Sequence, residues 1–326
     1  MRDLKDLSDL KKRATERKAP LTTEEKQLKV QLEDRLYWVR DRRILMLADS
    51  VDRYMAIYMC EELNGIFELG PAGFQTTATC VIEHLNVTFM HWHISSTYTS
   101  VPPWWWMRST KYVAIEERWQ EYYLPTVKHT IGKNGRSPDL VMLQSGLWDQ
   151  TMFALAHNQL LFQQGKTKKF SKTPNFMRSL NWEEMNFYMH RLAKIIDLIR
   201  SQFGSEVPIV FRSITHKANG SETMSIYDVD RAARFVCKEL DVEYMEFGSL
   251  VSGHYDWYRD KVHLKDGPLS ALWGNILMWY LFRTQGGNEF KGTIQRMPPN
   301  STLSYEHSIT DAWKECHDVF MHHSFI

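Results

Sequence analysis

Five short apolar runs punctuate the chain, at residues 44–48, 87–92, 140–143, 207–211 and 242–247. Each is continuous rather than alternating, the pattern of a strand buried on both faces. Stretches with helical spacing lie between them. Residues 51–63 form one, stopped by Asn64-Gly65, and residues 183–203 another, stopped by Gly204. Residues 227–240 place Val229, Ala232, Ala233, Val236 and Leu240 on one face, and residues 269–282 precede Gly286-Gly287. Strands alternating with helices predict an α/β fold, a three-layer α/β/α sandwich around a mainly parallel five-stranded sheet.

The flanks have a different texture. Leu4, Leu7 and Leu10 stand at helical spacing in a charged background, and Ala19-Pro20 breaks the pattern. Thr22 with Glu25 three residues on reads as a capping box, followed by an apolar stripe of Leu28, Leu32, Leu36 and Val39. Such a helix packs on the domain or binds a partner. Past Gly287 the chain is polar and carries Pro298-Pro299. The expected organisation is a charged N-terminal helical extension over 1–42, one α/β domain over 43–287 and a C-terminal appendage over 288–326.

Composition narrows the function classes. Of 326 residues, 43% are hydrophobic and 24% charged, which excludes a mostly disordered chain. A net charge of +1 gives no electrostatic footprint for nucleic acid, and no phosphate-loop motif occurs. No apolar run approaches the roughly 18 residues of a membrane span. The charged N-terminus is unlike a signal peptide, so the sequence as it stands points to the cytoplasm. Sequons at Asn86, Asn219 and Asn300 keep a secretory or Golgi-lumen alternative open, should the N-terminus be incomplete. Four cysteines without a C-x-x-C pair argue against a disulfide scaffold or a zinc ribbon. His91, His93, His317, His322 and His323 lack an H-E-x-x-H arrangement, so no metal site and no diffusible cofactor is expected. Nothing in the sequence speaks to oligomeric state.

The chemistry gathers where the strands end, the side on which open α/β sheets bind ligands. After the first run comes Ala48-Asp49-Ser50-Val51-Asp52-Arg53. A Ser at a strand-to-helix turn places a hydroxyl beside helix N–H groups. After the third comes Gln144-Ser145-Gly146-Leu147-Trp148-Asp149, and after the fourth Arg212-Ser213-Ile214-Thr215-His216. Ahead of the last helix stands Asp260-Lys261-Val262-His263. A carboxylate three residues before a His can accept its Nδ1–H and leave Nε2 free as a general base. Pro102-Pro103-Trp104-Trp105-Trp106 offers exposed rings for sugar stacking, or packing for an extra loop.

Together these segments resemble the SGNH (GDSL) hydrolase superfamily, and more narrowly its PC-esterase branch, which includes the trichome-birefringence-like O-acetyltransferases. That branch's G-D-S-x-x-R block is matched by Ala48 to Arg53. Its Gly with a downstream Trp-Asp is matched by Gly146, Trp148 and Asp149. The Arg-Thr/Ser-x-x-x-His segment corresponds to Arg212 through His216, and the closing D-x-x-H to Asp260 and His263. The resemblance implies a flavodoxin-like hydrolase domain and a Ser-His-Asp triad of Ser50, His263 and Asp260. It also implies an acyl-enzyme on Ser50 and a small-molecule or glycan ester as substrate, with transfer to water or to a sugar hydroxyl.

Asp49, Arg53, Gly146, Asp149, Arg212 and His216 would then line the oxyanion and substrate side. The oxyanion donors stay open among the N–H groups of Ser50 and Gly146 and the guanidinium of Arg53 or Arg212. Ala48 departs from the family's Gly, which favours the alternative of an inactive domain that binds glycan or a protein partner.

Overall fold

The computed structural model describes residues 1–69, 77–94, 96–97, 115–120, 124–125, 136–169, 171, 177–218 and 224–286. β1 (Arg43–Ala48) is the hub of the sheet. It pairs in parallel with β4 (Val87–His93) on one side and β5 (Leu140–Leu143) on the other. β6 (Ile209–Arg212) and β7 (Glu243–Met245) continue the parallel set. The five apolar runs are these five strands.

Two further strands, β2 (Ile66–Leu69) and β3 (Thr77–Ile82), add antiparallel to the β4 edge, so the sheet has seven strands in the order β2-β3-β4-β1-β5-β6-β7. This corrects the expected count of five. β2 is short and mostly exposed, so it lacks the continuous apolar signal that marks the others.

Residues alternate between the two faces along every central strand. Leu45 and Leu47 of β1 join Met90, Trp92, Val141, Leu143, Ile209 and Phe211 in one core. Ile44, Met46 and Ala48 join Val87, Phe89, Leu140, Met142 and Val210 in the other. α5 (Trp182–Phe203) and α6 (Met224–Glu239) cover the first face. α3 (Ser50–Glu62), the short α7 (Phe247–Val251) and α8 (Pro268–Arg283) cover the second. α4 (Leu147–Gln163), which follows β5 directly, has no amphipathic stripe in sequence and also joins the first core through Phe153.

The N-terminal helices belong to the body of the fold. α1 (Arg2–Arg17) buries Leu4 and Leu7 in the second core, beside Leu32 of α2 (Thr23–Arg35). Ser8 Oγ donates to the Leu63 carbonyl at 2.5 Å and ties α1 to the end of α3. The Thr22–Glu25 capping box forms as its spacing predicts. The appendage 288–326, the Trp104-Trp105-Trp106 run and the sequons at Asn219 and Asn300 lie outside the described residues. Asn86 is exposed and takes a left-handed turn (φ 52°), with Nδ2 donating to Asp41 at 2.6 Å. No helix among the described residues is long and apolar enough to cross a membrane.

Cys60, near the end of α3, is disulfide-bonded to Cys80 in β3, 20 residues away. Their spacing carries no motif, so the sequence gives no sign of the bond. The sulfurs pack on Gly65, where a Cβ would lie 2.8 and 2.9 Å from them. Closing a loop of this size stabilises by about 3 kcal/mol. The Cys60→Ser/Cys80→Ser variant is expected to lose about that much in urea unfolding against the oxidised parent. Free thiols at both positions in a non-reduced digest of the native protein would contradict the pairing.

Candidate active site

β1 delivers the chain straight into α3, and the turn between them is capped by Asp49. Its Oδ1 accepts from the Val51 N–H at 2.8 Å, the usual N-cap bond. Ser50 is thereby the first residue of α3, with its hydroxyl at the end of the helix whose N–H groups lack intrahelical acceptors. Ala48 is the last residue of β1, fully buried, in regular register with His93. It is not among the residues with positive φ, so the turn does not require the family's Gly.

His263 arrives on a tight loop between β7 and α8. A bridge between Tyr258 and Leu264 closes that loop, and Arg259 N–H donates to the His263 carbonyl at 2.9 Å. Two outside bonds brace it: Tyr258 OH to the His216 carbonyl at 2.5 Å, and Ala218 N–H to the Lys261 carbonyl at 2.9 Å. Ser50 Oγ and His263 Nε2 are 2.7 Å apart. His263 Nδ1 is 2.8 Å from Asp260 Oδ2 and 3.1 Å from Oδ1. Asp260 Oδ1 also accepts from the backbone N–H groups of Val262 and His263, both at 2.8 Å. An ionised carboxylate only accepts, so Nδ1 carries the proton and the Nε2 lone pair faces the Ser50 hydroxyl.

The electrostatics agree with that proton placement. Burial pushes the His263 pKa below its ordinary value and outweighs Asp260; Arg53 and Arg259 push it the same way as burial. Burial alone would raise Asp260, but its bonds from His263 and Val262 hold the carboxyl below the usual range. The imidazole is therefore neutral at pH 7 and able to take a proton. Only that neutral form can act as base, so activity is lost as pH falls through the depressed pKa. If Ser50 and His263 do chemistry, kcat/KM falls on an acid limb centred below the ordinary imidazole value of about 6.5. A pH profile with p-nitrophenyl acetate checks this, and a limb centred above that value would contradict it.

The remaining residues singled out by sequence divide into two groups. Gly146 opens α4 with φ 132°, and a Cβ there would lie 2.2 Å from Ile214 Cδ1. No other residue fits both that conformation and that space. The segment before it runs beside the Ser50 turn: Gln144 N–H donates to the Leu47 carbonyl at 2.9 Å, and Gln144 Oε1 accepts from Asp49 N–H at 3.3 Å. Arg53 is buried one turn after Ser50, its guanidinium 5.5 Å from the Tyr54 ring. Asp49 is buried and its carboxyl is pushed up to about 7 by burial and by Asp52, against Arg212.

Three expected substrate contacts are instead committed to holding the site together. Arg212 is fully buried; Nη2 bonds Asp52 Oδ2 at 2.5 Å and Nη1 the Ser213 carbonyl at 2.6 Å. Trp273 Nε1 donates to the other Asp52 oxygen at 3.0 Å. This corrects the expectation that Arg212 lines the cleft: Asp52, two residues after Ser50, draws it under α3. Asp149 is buried, and its Oδ1 accepts from Thr97 N–H at 2.9 Å and Thr97 Oγ1 at 2.6 Å. Burial raises its pKa to about 6 against those bonds. The His216 ring packs on Tyr227 at 5.0 Å while its carbonyl braces the His263 loop. His91 Nε2 donates to the Asp49 carbonyl at 3.0 Å, and burial with the Arg53 charge lowers its pKa to about 3.

Sequence reading missed Asp52, Gln144, Tyr54 and Arg259. Asp52 is paired with a residue 160 positions away, Arg212, so it gives no local signal. Tyr54 lies one turn after Ser50, a spacing that would have flagged it.

The structural neighbours of the chain are GDSL-like lipases and acetylxylan esterases. One is a GDSL-like lipase from Parabacteroides merdae, 15% identical with a TM-score of 0.39, over 74% of this chain and 96% of that one. A lipase/acylhydrolase from Enterococcus faecalis is 11% identical with a TM-score of 0.37, over 79% and 99%. An acetylxylan esterase from Geobacillus stearothermophilus is 11% identical with a TM-score of 0.40, over 74% and 94%. No protein-family model matches the chain, and no curated protein matches it.

Proposed function

We propose that the chain is a serine-dependent acyl esterase of the PC-esterase type, acting on an acetyl or other short-acyl ester. The observation that carries this reading is the unbroken relay from Ser50 Oγ through His263 to Asp260, set at the N-terminus of α3. His263 Nε2 takes the Ser50 proton as Oγ attacks the ester carbonyl. The tetrahedral oxyanion meets the N–H of Ser50 and that of Gly146, both opening helices at adjacent strand ends. His263 then returns its proton to the leaving alkoxide, and the acyl group stays on Ser50. Water activated by the same imidazole releases the acid; a sugar hydroxyl in its place gives O-acetyl transfer.

Asp260 holds the tautomer and stabilises the imidazolium. Asp52 and Arg212 hold the nucleophile's helix from below. Ala48, the departure that favoured an inactive domain, occupies an ordinary strand position, so no observation supports that second reading. The Cys60–Cys80 bond supports the secretory-lumen alternative over the cytoplasm, because disulfides persist where thiols are not kept reduced.

Steady-state hydrolysis of p-nitrophenyl acetate tests the reading. Turnover well above the buffer rate is expected from folded protein. None, with the fold verified by circular dichroism, would count against an esterase.

A further inference from the structure

We propose that Tyr54 and Arg259 form a shelf beside the nucleophile that takes an anionic group of the substrate, so that the ester acted on also bears a carboxylate, phosphate or sulfate. This rests on Ser50 being the attacking residue. Tyr54 lies one helical turn after Ser50, and its ring packs edge-on against His263 with centroids 4.9 Å apart. Arg259 lies over that ring with its guanidinium 4.4 Å from the centroid. A single aromatic ring thus separates a cation from the imidazole that meets Ser50.

Arg259 is only loosely engaged within the protein. Its side chain is 44% exposed, and its ion pair with Asp260 is a loose one, Nε to Oδ2 at 4.0 Å, beyond hydrogen-bond length. Asp260 is already engaged by His263 and two backbone N–H groups. The guanidinium also makes a long contact, Nη1 to Tyr58 OH at 3.5 Å. Elsewhere around Ser50, Asp52 is spent on Arg212 and Trp273. Burial raises the Asp49 carboxyl to about 7, which reduces its negative charge. Arg53 stands by the same Tyr54 ring at 5.5 Å. The mouth of the site therefore carries one half-exposed guanidinium, with the Arg53 charge buried behind it. Stacking on an aromatic face fixes the guanidinium plane and leaves its edge N–H groups for a two-pronged bond to an oxyanion.

The test uses matched acetyl esters: 4-acetoxybenzoate and its neutral methyl ester, with 4-acetoxyphenyl phosphate and 4-acetoxyphenyl sulfate as the other anionic arms. Wild type is expected to favour at least one anionic ester over the neutral one by on the order of tenfold in kcat/KM, carried mainly by KM. Arg259→Gln is expected to erase that preference, and Arg259→Lys to keep part of it. The relative rates of the three anionic arms say which oxyanion the shelf takes. Equal turnover of charged and neutral esters, or an equal loss on both in Arg259→Gln, overturns the proposal while leaving Ser50 as the nucleophile.

Binding of the amides 4-acetamidobenzoate and methyl 4-acetamidobenzoate, read by saturation-transfer NMR, needs no turnover. Arg259-dependent binding of the anionic amide from a protein that hydrolyses no ester keeps the anion site and removes the esterase. No preference for the anionic amide there overturns the shelf as well.

Discussion

Ser50→Ala is expected to lower kcat for acetyl-ester hydrolysis on the order of a million-fold, to the rate that oxyanion donors and binding alone support. Ser50 is 8% exposed and its hydroxyl touches His263 at 2.7 Å, so removing the hydroxyl deletes the nucleophile with little volume change and leaves the fold intact. His263→Ala is expected to cost nearly as much, because the two act as one unit and their losses do not add. Asp260→Asn is expected to cost less than either, since the backbone N–H groups of Val262 and His263 still hold the loop. Parallel kinetics on the three variants check the ordering. Equal rates for wild type and Ser50→Ala would mean that hydrolysis occurs elsewhere on the protein.

The second large effect is on stability. Arg212→Ala is expected to destabilise by about 3–5 kcal/mol, because it leaves Asp52 as an uncompensated buried charge. Both side chains are 0% exposed, so water cannot take over the lost partner. In a chain of this size the melting temperature falls by roughly 10 °C. Asp52→Ala strands Arg212 in the same way and also removes the acceptor of Trp273 Nε1. The double variant Asp52→Leu/Arg212→Met is expected to recover much of the loss, since a buried pair can be replaced by apolar groups at small cost. Thermal unfolding of the four proteins checks this. A single variant that melts with wild type would show that the pair carries no structural load, and with it our account of how α3 is held.

The parallel strands were legible because each is buried on both faces and so reads as an unbroken apolar run. β2 and β3 were not, since β2 is an exposed edge and carries no such run. α4 escaped for the opposite reason, being apolar on most of its circumference. At the site, Ser50, Asp260 and His263 could be read from their positions at strand ends and from the three-residue Asp–His spacing. Arg212 could not be assigned a direction. An Arg leaving a buried strand serves equally as a substrate donor or as a buried anchor, and only Asp52, brought in from α3, decides between them. Cys60 and Cys80 were silent for a related reason: their pairing depends on how α3 lies over β3, which no local pattern encodes.

Trapping the acyl-enzyme tests the central claim most directly. The protein would be mixed with excess p-nitrophenyl acetate, quenched in acid within one turnover, and read by intact mass and peptide mapping. The account predicts one added acetyl group, located on the peptide bearing Ser50, absent in Ser50→Ala and lost on standing at neutral pH. An acetyl group on another residue, with Ser50 unmodified while turnover proceeds, would contradict it.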